Sequence, residues 1–279
     1  MPATLLSLLE LPGVPHRVFE RSPLALSVCQ VKFPRELSIA NDSFVAPFHH
    51  AIKARYPLAD KLPELGLAVS LGASSPQVQQ ESGSFRWQFA DSERRWTVTL
   101  LQEAVSIETR AYASFADFLL RLDEVVKALI DHVAPTAVTR LGLRYINEIR
   151  LKEMAWEEAI TAAILGPITL PQFAPGVMQS VQEILLRYED GHGVNIRHGL
   201  LPDGSTVLPK PGEELPRGSF YLLDFDAFRE FPVPGGLATD VDIVRSYVDT
   251  FNKVIYQLFR MSTTEDYIST LGEYSNGDN

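Results

Sequence analysis

Asp224 and Asp226 stand two residues apart in a short apolar run, Tyr221-Leu222-Leu223-Asp224-Phe225-Asp226. On a strand, alternate side chains share a face, so the two carboxylates point the same way. Such a pair can hold a divalent cation through hard oxygen ligands, or it can pair with arginine. The arginines come from Arg140-Leu141-Gly142-Leu143-Arg144-Tyr145-Ile146-Asn147-Glu148-Ile149-Arg150. The same parity rule gathers Arg140, Gly142, Arg144, Ile146, Glu148 and Arg150 on one face and Leu141, Leu143, Tyr145, Asn147 and Ile149 on the other. A glycine between two arginines leaves room for something to approach the backbone. Arg187, from a third strand, joins the cluster if the strands share that face. The candidate binding set is therefore Arg140, Arg144, Arg187, Asp224 and Asp226.

Two chemistries follow from that set. With a metal on Asp224 and Asp226, the arginines would clamp phosphate and the class would be a metal-dependent phosphohydrolase or nuclease. Without one, the set binds but has no means of moving protons. Arginine stays protonated, and opposed charges keep the carboxylates ionised. Ion pairing is the preferred reading. The sequence therefore leans away from an enzyme, with no catalytic residue, no metal ligand and no cofactor assigned.

Other chemistry-bearing residues carry less. His192 and His198 share a strand parity around Asn195, but no third ligand has metal-site spacing. His49 and His50 are adjacent, so on a helix they face different directions and cannot form an i, i+4 zinc pair. Trp87, Trp96 and Trp156 read as core residues. Cys29, the only cysteine, lies in an apolar strand and reads as a small core residue. There is no Walker loop, nucleophile elbow, dinucleotide fingerprint or Cys-x-x-Cys.

The elements that must position these residues are legible in the periodicity. Leu24 to Phe33 reads as a strand, and Asn41-Asp42-Ser43 caps a helix that ends by Tyr56, before Pro57. Leu65 to Leu71 reads as another strand and 72–84 as a loop. Three alternating runs, Phe85–Phe89, Trp96–Leu100 and Val105–Arg110, predict an antiparallel meander with one wet face. Ser114 with Asp117 opens a long helix whose apolar stripe runs from Phe115 to Val133. After the Arg140 strand come a helix over Trp156–Leu165 and a hairpin of Val181–Tyr188 with Gly193–Leu201. A strand at Phe220–Phe225 follows, then a long helix capped by Thr239 with Asp242.

Both halves thus read strand, helix, strands, long capped helix. Leu24-Ala25-Leu26 corresponds to Leu141-Gly142-Leu143, and Glu108-Thr109-Arg110-Ala111-Tyr112 to Asp224-Phe225-Asp226-Ala227-Phe228, at nearly the same offset. Matching offsets predict an internal duplication. The expected fold is α+β: antiparallel meanders with long helices on one face, in two similar β-α-βββ-α halves. Residues 1–136 form the first half, with about 20 N-terminal residues as an extension. Residues 137–273 form the second, packed with the first as one unit, and 274–279 a frayed tail.

Of 279 residues, 46% are hydrophobic and 22% charged, which suits a folded core, and the net charge is −10. That charge disfavours nucleic acid and anionic membranes as partners. The N-terminus has no basic region of a signal peptide, and no apolar run is long enough to span a bilayer. The expected setting is cytoplasmic.

The Arg140–Asn147 strand, RLGLRYIN, resembles a sporadically distributed, functionally uncharacterised bacterial family. The Pro23-Leu24 strand entry, Trp87-x-Phe89, Tyr112 and Leu223-Asp224-Phe225-Asp226 contribute to the likeness. The resemblance implies a bacterial or phage-related protein, associated with defence or a toxin–antitoxin pair, and assigns no residue a role. Together these readings predict a non-catalytic binding protein. Its polar sheet face would hold another protein or an anionic small ligand, with a homodimer left open as a partner.

Overall fold

The computed structural model describes residues 17–63, 85–207, 209, 214–232 and 234–272, together with residues 5, 9–11, 13 and 14. The expected strand at 65–71, the loop at 72–84 and the tail at 274–279 lie outside the described residues.

The fold is α+β. Among the described residues, nine antiparallel strands form one sheet in the order β2-β3-β4-β5-β1-β6-β9-β8-β7. The strands are β1 (Leu24–Lys32), β2 (Leu58–Pro63), β3 (Phe85–Ala90), β4 (Trp96–Leu101), β5 (Ala104–Thr109), β6 (Arg140–Ile149), β7 (Ser180–Arg187), β8 (His192–Leu201) and β9 (Phe220–Glu230). β6-β9-β8-β7 repeats the order of β1-β5-β4-β3, with β2 as an added edge. The halves meet where β1 pairs with β6 through Val28↔Arg144 and Gln30↔Gly142.

The helices that cover one face are α1 (Asp42–Ile52), α2 (Phe115–His132), α3 (Trp156–Ala159), α4 (Ala162–Leu165), α5 (Val241–Ser262) and α6 (Glu265–Thr270). The two long ones form because an apolar stripe repeats at helical spacing. α2 buries Phe118, Leu122, Val125 and Leu129, and α5 buries Val248, Phe251, Ile255 and Leu258. They lie against Leu141, Leu143, Leu223 and Phe225 of the central strands. Each fully buried side chain of this kind contributes about 1.5–3 kcal/mol. The Ser114 hydroxyl accepts the Asp117 N–H at 3.1 Å and so caps α2. No helix among the described residues is long and apolar enough to cross a membrane.

Several expectations change. The cap of α5 is Asp240, whose carboxylate accepts the Ile243 N–H at 3.0 Å, rather than Thr239. The helix expected over Trp156–Leu165 is two single turns, because Ile160 between them is extended and bridges Thr263. β2 and α6 were not foreseen, and β9 continues five residues past Phe225 to Glu230.

The uncovered face is not wet throughout. Residues 202–207 fold over one end of it. Glu148 accepts the Thr206 hydroxyl at 2.6 Å and the Val207 N–H at 2.7 Å, and Arg150 donates to the Ser205 carbonyl at 2.7 Å. Beneath lies a small second core of Leu26, Ile146, Phe220 and Leu222. Glu148 and Arg150 thus anchor a loop.

Candidate functional site

On the open part of this face, pairing sets Arg144 opposite Asp226 and Ile146 opposite Asp224 on β9. The side chains pair diagonally. Arg144 donates Nε to Asp224 Oδ1 at 2.7 Å and Nη2 to Oδ2 at 2.6 Å. Arg140 donates to Asp226 at 2.8 Å. Asp224 is buried and carries a second cation, Arg197 of β8, at 3.9 Å. The expected ion pairing is therefore present, and Arg197 extends it. Arg197 was missed, although its parity with Asn195 in the hairpin pointed to this face.

Arg187 does not join the aspartates. It donates to both oxygens of Glu230, at 3.0 and 3.2 Å. Its guanidinium lies 5.8 Å from the Phe228 ring, over which Arg140 sits at 4.6 Å. The room at Gly142 is filled from within: a Cβ there would lie 2.9 Å from Arg140 Nη1 and 3.2 Å from Asp226 Oδ1. Burial outweighs the neighbouring arginines at Asp226 and pushes its carboxyl above the usual range. Across the cluster stand four cations, Arg140, Arg144, Arg187 and Arg197, and four acids, Asp224, Asp226, Glu230 and Glu183, the last held by Asn195 at 2.9 Å. The face is mixed in sign and balanced.

The histidines do not converge. His192 and His198 face the helix side and are separated by about 20 Å of strand, at roughly 3.3 Å per residue. His192 meets Asp190 at 2.7 Å and His198 meets the Tyr221 hydroxyl at 3.1 Å. His49 meets the Tyr56 carbonyl at 3.1 Å and stacks on Phe89. Among the described residues, no group of three His, Cys, Asp or Glu side chains is arranged to hold a metal ion. Trp96 is buried, Trp87 and Trp156 pack against the core, and burial pushes the Cys29 thiol up to about 12.

A second feature lies on the helix-covered side. A cavity of about 500 Å³ opens between β6, the start of α2 and the middle of α5, roofed by residues 17–24. The roof is tied down by Arg21 N–H to the Leu271 carbonyl at 2.9 Å and Arg21 Nη2 to the Thr270 carbonyl at 2.6 Å. Its walls include Phe19, Tyr112, Phe115, Tyr256 and Phe259. Polar atoms gather at the floor. Tyr145 donates its hydroxyl to Asn252 Oδ1 at 2.9 Å, so Tyr112, 3.3 Å from the Tyr145 oxygen, donates to Tyr145. Asn147 gives one amide hydrogen to the Leu223 carbonyl at 3.0 Å. These bonds leave the Asn252 amide nitrogen and the Asn147 amide oxygen unused, and both residues line the cavity. Burial pushes the Tyr112 hydroxyl up to about 12 and the Tyr145 hydroxyl well above its ordinary value. Both therefore hold their protons at neutral pH and act as fixed donors.

The sequence carried one signal of this cavity. Asn147 is the polar exception on the apolar face of β6, and a buried carboxamide needs partners. Its convergence with Tyr112 and Asn252 depends on the strand order. No protein-family model matches the chain, and no curated protein matches it.

Proposed function

We propose that this protein binds its ligand without converting it, and that the ligand is a small aromatic molecule with an amide-like hydrogen-bonding edge. The observation that carries this is the cavity beside Tyr145. Small-molecule sites run at about 300–1,000 Å³, mostly apolar with a few placed polar groups, and this cavity of about 500 Å³ has that make-up. Aromatic walls suit a flat ring. The Asn252 amide offers a donor and Asn147 an acceptor, the pair that an amide or lactam edge requires. The tyrosines hold their protons too tightly to act as general bases near neutral pH.

In this reading the arginine–aspartate face is a docking surface for another protein rather than a site for a free anion, because its charges balance. The hydrolase alternative is less favoured, since both Asp224 oxygens already accept from Arg144. A bacterial setting and an association with defence, implied by the RLGLRYIN resemblance, and a cytoplasmic location complete the proposal.

Titration calorimetry with free nucleosides and aromatic amides tests it. Binding should occur for at least one class and weaken about tenfold or more in Asn252→Asp, which keeps the Tyr145 bond and reverses the free edge. The reading fails if no probe binds, or if Asn252→Asp and Tyr112→Phe bind as the parent does.

A further inference from the structure

Among the described residues, the two edge strands of the sheet differ. β2 is six residues long and carries Asp60, Lys61 and Pro63, devices that discourage further pairing. β7 is eight residues, Ser180–Arg187, without proline or lysine. It is exposed along both faces: Val181 is 38% exposed, Ile184 42% and Leu185 54%, and Met178 just before it 79%. The backbone phase of this edge follows from the hairpin. The Tyr188 N–H donates to the His192 carbonyl at 2.9 Å. In an antiparallel ladder bonding alternates, so Ser180, Gln182, Ile184 and Leu186 bond to β8. Val181, Glu183, Leu185 and Arg187 direct their N–H and C=O groups outward, with no strand beyond them among the described residues.

We infer that two copies of this chain join through their β7 edges, antiparallel, about a twofold axis at Leu185. The register follows from charge. Centred on Leu185, the pairing sets Glu183 opposite the partner's Arg187 and Arg187 opposite the partner's Glu183. Leu185 meets its own copy between them, and Ile184 lies opposite Leu186 on the other face. Centred one residue earlier, Glu183 would face Leu185 and Arg187 would face Val181, so both charges lose their partners. Centred one residue later, Glu183 would face Glu189 and like charges would oppose. Asn195 holds Glu183 at 2.9 Å and Glu230 holds Arg187 at 3.0 Å, so both side chains already stand on the face where the pairs would form. A strand from an unrelated protein would need to reproduce this order of charge, whereas a second copy supplies it by symmetry. The dimer continues both sheets as one, and it does not depend on the ligand proposed for the cavity.

Sedimentation of the full chain across a wide concentration range tests the inference. A dimer mass is expected, with Leu185→Pro monomeric at the same concentrations. Proline at an outward-facing edge position removes no bond to β8, and unchanged circular dichroism checks that the variant folds. Glu183→Arg and Arg187→Glu should each weaken dimerisation about tenfold or more. Mixing those two variants should restore dimers, because each then faces the opposite charge, and the double exchange Glu183→Arg/Arg187→Glu should dimerise alone. A monomer at every concentration overturns the inference. So does a dimer indifferent to the three single substitutions, one in which mixing restores nothing, or a double exchange that stays monomeric.

Discussion

Asp224 lies beneath Arg144: both carboxylate oxygens accept from one guanidinium, yet the aspartate side chain is 4% exposed and the arginine 40%. The two ends of this pair therefore respond differently to its loss. Removing the arginine strands a buried anion whose remaining partner, Arg197, is 3.9 Å away. Removing the anion leaves a guanidinium that water can reach.

Arg144→Ala should accordingly destabilise the fold by about 2 kcal/mol. That lies between the limit of an exposed pair, under about 1 kcal/mol, and that of a fully buried one, about 3–5 kcal/mol. Asp224→Asn should cost less. Urea melts of both variants and of the double variant measure the asymmetry and the coupling. Strict additivity would remove the pairing claim.

Gly142 is required for space, since the side chain it lacks would occupy the Arg140–Asp226 contact. The nearest atom is the flexible end of an arginine, so Gly142→Ala should fold and shift Arg140 off Asp226, at about 1 kcal/mol. In an Arg140→Ala background the same substitution should cost almost nothing. An equal cost in both backgrounds would put the requirement in the backbone instead.

Asp240 and Thr239 compete for the role of capping α5, and geometry assigns it to Asp240. Asp240→Ala should cost about 1 kcal/mol, a common value for a lost N-cap. Thr239→Ala should cost under about 0.5 kcal/mol, because its hydroxyl makes only a 3.4 Å contact to the Pro135 carbonyl. Thermal melts that reverse this order would restore the sequence-based cap.

What was legible in the sequence is what local periodicity controls. Strict alternation marked β3, β4 and β5, and parity alone brought Arg140 and Arg144 to the face of Asp224 and Asp226. Leu24 and Leu141 lie at the starts of β1 and β6, which pair in the middle of the sheet. Glu108 and Asp224 are each the fifth residue of the strand beside them. What escaped was set by distant partners. β2, Leu-Ala-Asp-Lys-Leu-Pro, has little strand character and is defined by its ladder to β3. Thr263, a hundred residues away, interrupts the Trp156 helix at Ile160. Arg187 found Glu230 because β9 runs on past Phe225, and the cavity draws Tyr112, Tyr145 and Asn252 from three separate elements.

His198 gives the fold a pH dependence of known sign. It is buried on the helix side of β8, its ring stacked on Tyr221. The Tyr221 hydroxyl donates to the Ile164 carbonyl at 2.8 Å, so its oxygen must accept from His198. The imidazole therefore carries a hydrogen on Nδ1. Burial holds its pKa below the ordinary value. The unfolded chain binds a proton at about 6.5, and the folded one binds it only at lower pH. The contribution of His198 is thus fully present above about pH 6.5 and is lost as pH falls from there to the depressed folded value. Asp226, whose carboxyl is raised, acts with the opposite sign at a more acid pH, gaining stability as it protonates. His198→Gln keeps a donor for Tyr221 but cannot titrate. Its unfolding free energy, measured by urea melts at a series of pH values, should fall less steeply than the parent's just below about pH 6.5. Parallel curves for the two proteins would mean that the proton is taken up elsewhere.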